Sequence, residues 1–277
     1  MHETELRNII KNPWVQCPQV NSVQHLLKSV EVINFVRGSG EASARLDYLE
    51  TLYRKWVSDI IDLRDFKYCY FVNGVTDAIN QWVATETRTW QYLKGDYEYA
   101  KMIGGDGYCV DDINPEQLLY ISNPECSTGD FIKLKDIPNP IILDCAYIGS
   151  TLKQQMSVPN TTEQIWFSFS KGWGLVGQRA GLVFTKHPHK SLHVMKQVEA
   201  WNYTSVETAI AIVENYDIDT VASAYKPVQQ QLCEKYNLEP SDCFFIAKST
   251  DKRFKIRRRK EDIARLDLSS LMEHSNA

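Results

Sequence analysis

Five short, continuously apolar segments dominate the middle of this chain, and each is followed by small or polar residues. They are Tyr68–Val72, Leu118–Ser122, Ile141–Ala146, Ile165–Phe169 and Ala180–Phe184. Apolar runs of this length without polar alternation are typical of strands covered on both faces, as in a parallel sheet. Helix-period stretches accompany them, over Ala42–Leu63 and from Thr76 onward. This alternation predicts an α/β protein with a mainly parallel sheet.

The pattern changes after Lys186. Ser191–Glu214 and Val221–Tyr236 have helical periodicity, whereas Phe244–Lys248 and Ala264–Ser269 have the composition of short strands. We therefore expect a large α/β domain at residues 60–190 and a small α+β domain at residues 191–277. Residues 1–59 are expected to join the small domain or to lie at a subunit interface.

Composition excludes several classes of protein. The 277 residues carry a net charge of -4, so we expect neither a general nucleic-acid binder nor a membrane-surface protein. Neither a signal peptide nor a membrane-spanning apolar run is evident in the sequence. The seven cysteines are scattered and form no C-x-x-C pair, which favours reduced thiols over disulfides or a zinc site. We expect a cytoplasmic protein.

Polar residues follow the apolar segments, where ligand sites of parallel sheets form. Lys171 comes directly after one segment, where a partly desolvated amine has the lowered pKa that a nucleophilic or Schiff-base lysine requires. Asp144 ends another segment, and a buried carboxylate needs a cationic or protonated partner. Gly74 opens a helix whose free amides can hold a phosphate. Side chains that bind phosphate oxygens are also present: Thr76, Ser168 and Arg179. Together these groups match the requirements of pyridoxal phosphate.

Four sequence blocks carry a family resemblance. They are Asn-Gly-Val-Thr-Asp-Ala-Ile (73–79), Asn-Pro-Glu-Cys-Ser-Thr-Gly (123–129), Asp-Cys-Ala-Tyr (144–147) and Ser-Phe-Ser-Lys-Gly-Trp-Gly-Leu-Val-Gly-Gln-Arg-Ala-Gly (168–181). In this order they resemble fold-type I pyridoxal-phosphate aminotransferases of class I/II, in a compact form. The resemblance implies a three-layer large domain, a small α+β domain and a homodimer. In such a homodimer, we expect Arg37, Arg45 or Tyr48 to reach the neighbouring subunit's phosphate.

The resemblance assigns roles at matching positions. Lys171 matches the lysine that forms a Schiff base with the cofactor and moves the proton during catalysis. Asp144 matches the carboxylate that keeps the pyridine nitrogen protonated, and Tyr147 matches the phenol that bonds the cofactor's ring oxygen. The phosphate cup would comprise the Val75 backbone with Thr76, Ser168 and Arg179.

The resemblance also implies roles for Tyr97 and Arg265, whereas Cys126 departs from the family pattern. Tyr97 lies where the family has an aromatic ring over the pyridine, and Arg265 looks like the arginine that binds the substrate α-carboxylate. Cys126 stands where the family usually has an asparagine that bonds the cofactor oxygen and helps to seat the substrate carboxylate. A thiol is a poor hydrogen-bond donor, so cofactor tuning or substrate seating must differ here. The basic run Lys252–Lys260 favours a solvated strand edge, so Arg265 is preferred to its alternatives, Arg257, Arg258 and Arg259.

The main functional hypothesis is an aminotransferase with amino-acid and 2-oxo-acid substrates. The cysteine at position 126 and the compact small domain keep a second hypothesis open, a pyridoxal-phosphate-dependent lyase, decarboxylase or cyclase. A non-catalytic family member is the third. No metal is expected, because His187, His189 and His193 lack a carboxylate or cysteine that would complete a ligand set.

Overall fold

The computed structural model describes residues 17–18, 20–31, 34–36, 38–104, 107–134, 137–260 and 262–272, with only the backbone of 255–260. The helices in these ranges are α1 (Asn21–Lys28), α2 (Glu41–Trp56), α3 (Val75–Val83), α4 (Tyr99–Met102), α5 (Phe169–Gly172), α6 (Lys190–Gln197), α7 (Tyr203–Asn215), α8 (Thr220–Tyr236) and α9 (Ser269–Met272). A 3-10 helix covers Lys252–Arg257.

The strands form two sheets. They are β1 (Tyr68–Val72), β2 (Trp90–Leu93), β3 (Gly107–Val110), β4 (Leu118–Ser122), β5 (Ile141–Cys145), β6 (Thr162–Ser168), β7 (Gly181–Thr185), β8 (Glu239–Pro240), β9 (Ile246–Ser249), β10 (Arg258–Lys260) and β11 (Ile263–Asp267). The larger sheet has the order β1-β7-β6-β5-β4-β2-β3. Its β7 is antiparallel to both neighbours, and the other pairings are parallel. The predicted α/β fold with a mainly parallel sheet is confirmed.

Side chains of the large sheet enter two separate cores. Leu143 and Phe167 lie on one face, in the core that also contains residues of α2 and α7. Ile142 and Trp166 lie on the other face, against α3. Because both faces are covered, the strands have no polar alternation, which explains the continuous apolar runs in the sequence.

Some predicted boundaries were wrong. The helix expected to reach Leu63 ends at Trp56, because the chain then turns and Ile60 enters the core from that turn rather than from a helix face. The stretch 191–214 forms two helices, separated near Glu199, whose backbone is left-handed at φ 51°. Strands β2 and β3 were not predicted, since each has four residues.

The smaller sheet is antiparallel, with the order β10-β11-β9-β8, and hydrogen bonds connect the chain near it to loops of the larger one. The amide of Cys243 donates to the Gly129 carbonyl at 3.0 Å, and the amide of Phe244 donates to the Ser150 carbonyl at 2.9 Å. These bonds place β11, and with it Arg265, against the loop after β4. The domain limits at residues 60, 190 and 191 stay a prediction. Among the described residues, no helix is long and apolar enough to cross a membrane.

Candidate active site

A cavity of about 350 Å³ opens at the carboxyl ends of the parallel strands. Ser122 at the end of β4, Asp144 next to the end of β5 and Ser168 at the end of β6 line it. All ten site residues predicted from the sequence line it, although they come from distant parts of the chain: Val75, Thr76, Tyr97, Cys126, Asp144, Tyr147, Ser168, Lys171, Arg179 and Arg265. The structure therefore brings the predicted residues together, while their individual roles stay predictions.

Lys171 reaches the cavity from the short helix α5, directly after β6. Ser168 begins this helix, and its hydroxyl accepts a hydrogen bond from the Ser170 amide at 3.1 Å. Burial lowers the pKa of the Lys171 amine, and the charge of Arg265 acts in the same direction. A lysine with a lowered pKa is neutral more often near neutral pH, which is the form that attacks carbonyl carbon.

Asp144 lies at the end of β5 with 3% of its surface exposed. Its Oδ2 accepts a hydrogen bond from the Tyr120 hydroxyl at 2.6 Å, and its Oδ1 accepts one from the Ala146 amide at 2.8 Å. Burial raises the pKa of the Asp144 carboxyl to about 7, although both hydrogen bonds lower it. A carboxyl held in this way is poised to share a proton with a basic nitrogen in the cavity.

Arg179 lines the cavity, and its guanidinium lies against Gly74 at the start of α3. Gly74 has φ 78°, and a Cβ there would lie 2.8 Å from Arg179 Nη2, so only glycine lets the guanidinium pack onto this turn. Arg179 itself has a left-handed backbone, with φ 50°. Strain of this kind is maintained by the surrounding structure and occurs often at functional sites.

Ser170 is a lining residue that sequence analysis did not single out. Its hydroxyl is buried and has no hydrogen-bond partner within the described ranges. It faces the same cavity as Ser168, Thr76 and Arg179, whose hydroxyls and guanidinium suit the oxygens of a phosphate. The available signal was the position of Ser170 between Ser168 and Lys171.

Arg265 projects from β11 toward the loop after β4. Its Nη1 donates to the backbone carbonyl of Cys126 and lies 3.2 Å from the Cys126 sulfur and 3.5 Å from the Tyr147 hydroxyl. Tyr147 is buried, and its burial raises the pKa of the phenol well above its usual range. The guanidinium therefore contacts a backbone carbonyl, a sulfur and a phenol here, and it remains suited to bind an anionic ligand.

Tyr97 covers part of the cavity mouth with 38% of its surface exposed. Its hydroxyl bonds the Thr76 side chain, and its ring stacks on that of Tyr99 at 6.1 Å. Asp96, which sequence analysis did not identify, holds this segment in place. Its carboxylate accepts hydrogen bonds from the Tyr97 amide at 2.7 Å and from the Ser122 hydroxyl at 2.5 Å. The only sequence signal was its position next to Tyr97.

Other candidates lie outside the cavity lining. Arg45 forms a bidentate ion pair with Glu207, at 2.6 and 2.7 Å, and the Tyr48 hydroxyl donates to Glu214 at 2.7 Å. The remaining arginine candidates cannot be placed, because Arg37 and the side chains of Arg257, Arg258 and Arg259 lie outside the described residues. His189 caps α6, and its Nδ1 accepts a hydrogen bond from the Leu192 amide.

Several solved structures have the same architecture as this chain. A histidinol-phosphate aminotransferase from Sinorhizobium meliloti, in complex with pyridoxal-5'-phosphate, superimposes with a TM-score of 0.64 at 12% identity, covering 99% of this chain and 95% of that one. Aminotransferase AspB from Helicobacter pylori gives 0.65 at 14% identity, with coverage of 99% and 94%. The chain has the fold of the fold-type I aminotransferases.

A neighbour with another activity shares this aminotransferase fold. An L-threonine-O-3-phosphate decarboxylase from Porphyromonas gingivalis superimposes with a TM-score of 0.61 at 14% identity, covering 95% of this chain and 98% of that one. No family model and no curated protein matches the sequence. The fold is thus established by structural similarity, and the reaction has to be argued from the residues of the cavity.

Proposed function

We propose that this protein is a pyridoxal-phosphate-dependent aminotransferase that acts on an amino acid through Lys171. The observation that carries the proposal is the meeting of five side chains in one cavity: Asp144, Tyr147, Lys171, Arg179 and Arg265. A desolvated amine, a buried carboxyl, a phenol and two guanidinium groups are the functional groups that this cofactor and an amino acid require.

The cavity fits the cofactor by its own chemistry. The unpartnered Ser170 hydroxyl and the guanidinium of Arg179 next to Gly74 suit a phosphate group. At the start of α3, the first amides point away from the helix, as is usual at an N-terminus. The phosphate would be held there by Val75, Thr76, Ser168 and Arg179. Asp144 would bond the ring nitrogen and Tyr147 the ring oxygen, with Cys126 beside it and Tyr97 over the ring.

Different residues would carry out proton transfer and substrate binding. The bound cofactor accepts the electrons that remain when an amino acid loses its α-proton. Lys171 would hold the cofactor, and its Nζ would take the α-proton from the substrate, because burial lowers the pKa of this amine and favours its neutral form. Arg265 binds the substrate carboxylate and thereby aims the α-carbon at Lys171. Asp144, as an anion, stabilises positive charge at the ring nitrogen.

A second reaction class shares the same machinery. Pyridoxal-phosphate-dependent lyases, decarboxylases and cyclases need the same lysine and aspartate and differ in which bond at the α-carbon breaks. Two observations favour keeping this alternative. Cys126 lines the cavity in place of the family's usual asparagine, and one solved structure with the same fold is a decarboxylase. A non-catalytic role is less well supported, because the predicted catalytic groups are all present.

The direct test is to titrate the purified protein with pyridoxal phosphate and then to add amino acids one at a time. We expect a visible absorption band that Lys171→Ala abolishes and that Lys101→Ala, at an exposed position of α4, leaves unchanged. Release of a 2-oxo acid with conversion of the cofactor to its amine form would support transamination. Release of CO₂ or ammonia would support the alternative, and no cofactor binding would support the non-catalytic role.

We further propose a cytoplasmic homodimer with the domain division at residues 59/60 and 190/191. Apolar side chains near the cavity support a subunit interface there, since Met102 is 76% exposed and Val176 is 49% exposed. Sedimentation should give a dimer that Met102→Glu weakens, and limited proteolysis should cut near the domain limits. A monomer with full cofactor occupancy would contradict the dimer.

A further inference from the structure

The carboxylate of Asp144 is held from behind by a phenol that does not line the cavity. Tyr120 donates its hydroxyl hydrogen to Asp144 Oδ2 at 2.6 Å, while the Ala146 amide donates to Oδ1 at 2.8 Å. Each carboxylate oxygen thus accepts one hydrogen bond from a donor in the described part of the chain. With both oxygens bonded, the plane of the carboxylate is fixed relative to β4 and β5.

The sheet register places the phenol in reach of the carboxylate. On the adjacent parallel strands β4 and β5, Ser122 is paired with Asp144. Tyr120 lies two residues before Ser122, so its side chain projects from the same face and is a diagonal neighbour of Asp144. A long aromatic side chain is needed to span this diagonal, and tyrosine carries a donor at its far end.

The ring of Tyr120 is enclosed by other aromatic side chains, and its hydroxyl donates to Asp144. The side chain is fully buried, with its ring stacked on Trp82 at 5.9 Å and tilted against Trp166 at 5.9 Å. Burial raises the pKa of this phenol well above its usual range, and the charge of Asp144 adds to the effect. The phenol therefore stays protonated and acts as a donor.

The other groups that face Asp144 do not replace this donor. Asp96 comes from the segment after β2 and opposes ionisation of Asp144, since like charges repel. The charge of Asp144 also raises the pKa values of Tyr97 and Cys145, and both groups are neutral when protonated. Together with the Ala146 amide, Tyr120 is the group that favours the ionised form of Asp144 against burial and Asp96.

We propose that Tyr120 is a positioning residue that keeps Asp144 ionised and aimed at the ring nitrogen of the cofactor, an inference that rests on the proposed function. Without the phenol donor, the proton shared between Asp144 and the ring nitrogen would move toward the carboxylate. The ring nitrogen would then carry less positive charge, and the cofactor would be bound less tightly.

The test uses the holoenzyme and a readout independent of turnover. Pyridoxal phosphate labelled with ¹⁵N at the ring nitrogen is bound to the wild type, to Tyr120→Phe and to Tyr92→Phe, and the ¹⁵N resonance is followed across neutral pH. Tyr120→Phe keeps the ring packing, and Tyr92→Phe removes a hydroxyl from the same aromatic core without touching Asp144. We expect the Tyr120→Phe resonance to move toward that of neutral pyridine, with about tenfold weaker cofactor binding.

The possible outcomes separate the two proposals. If the ¹⁵N resonance in Tyr120→Phe equals that of the wild type at every pH, the proposed role of Tyr120 is overturned, whereas the proposed function is not affected. An equal shift in Tyr92→Phe would also overturn it, because the effect would then come from packing. Failure of the wild-type protein to bind the cofactor would overturn the proposed function and this inference with it.

Discussion

At the residue scale, Cys126 changes the environment of the arginine that is proposed to bind the substrate. The Arg265 guanidinium donates to the Cys126 carbonyl, and the thiol lies 3.2 Å from Nη1. The backbone contact does not depend on the side chain, so Arg265 keeps its position whatever residue stands at 126. What the thiol lacks is a strong donor for a substrate carboxylate.

Cys126→Asn should therefore improve substrate binding. The amide adds one donor next to Arg265, and we expect KM for the amino acid to fall by about three- to tenfold, the effect of one net hydrogen bond. The value of kcat should change less. Steady-state kinetics with the best amino acid measures both, and Cys126→Ala serves as the control that removes the thiol without adding a donor. A higher KM in Cys126→Asn would contradict the argument.

Asp144 should make the stability of the cofactor-free protein depend on pH. The pKa of its carboxyl is about 7 in the native state, against about 3.9 in an unfolded chain. Because the native pKa is the higher one, the associated stability is fully present below pH ~4 and is lost as the pH rises to about 7.

Asp144→Asn should remove this loss. The free energy of unfolding of the cofactor-free variant is measured by urea unfolding and compared with that of the wild type. The variant's value minus the wild-type value should rise by a few kcal/mol between pH ~4 and ~7. Cofactor affinity should fall in the same variant, because the ring nitrogen loses its anionic partner. A difference in the free energy of unfolding that stays constant with pH would show that Asp144 is not the source.

At the element scale, the turn between β1 and α3 combines backbone strain with a close contact. Gly74 and Gly38 have nearly the same φ, 78° and 80°, but only at Gly74 would a Cβ meet another atom, the Arg179 guanidinium. The two glycines therefore provide a matched pair of positions.

Gly74→Ala and Gly38→Ala should both lower the free energy of unfolding, by about 1–3 kcal/mol for a side chain at positive φ. Only Gly74→Ala should also weaken pyridoxal-phosphate binding, since the new Cβ displaces Arg179. Urea unfolding and cofactor titration measure the two effects. Equal cofactor affinity in both variants would mean that Arg179 does not contact the phosphate.

At the scale of the whole molecule, Asp130 connects the loop after β4 to the smaller sheet. Its carboxylate accepts hydrogen bonds from Lys248 Nζ at 2.6 Å and from the Asp242 amide at 3.0 Å. Lys248 also pairs with Glu239, which is mostly exposed. Since β11 belongs to the smaller sheet, this connection helps to set the distance between Arg265 and the rest of the cavity.

Asp130→Ala should loosen that connection. We expect a loss of about 1–3 kcal/mol in the free energy of unfolding, and a higher KM for the amino acid with little change in kcat. Glu239→Ala, which removes the exposed partner of the same lysine, should cost under about 1 kcal/mol. Steady-state kinetics gives KM and kcat for the two variants, and urea unfolding gives their free energies of unfolding. Similar KM values in both variants would contradict the positioning role of Asp130.

The sequence by itself predicted five strands of the larger sheet, β1, β4, β5, β6 and β7, and the ten residues that line the cavity. The strands and the polar residues next to them follow from local patterns: β1 and β4 are unbroken apolar runs, and Lys171, Asp144 and Arg179 occupy positions directly after or between such runs. The family resemblance added Tyr97, Cys126, Tyr147 and Arg265. Neighbouring residues are enough to create such patterns, because burial on both faces and the turn after a strand leave a local signature.

Only the tertiary structure decided which distant groups act on those residues. Tyr120 meets Asp144 through strand register, Asp96 meets Ser122 across a loop, and Arg265 meets Cys126 through the docking of two sheets. Each of these pairs is separated by many residues and leaves no periodic pattern in the sequence. Long-range packing and hydrogen bonding select such contacts, so they become visible only once the chain is folded.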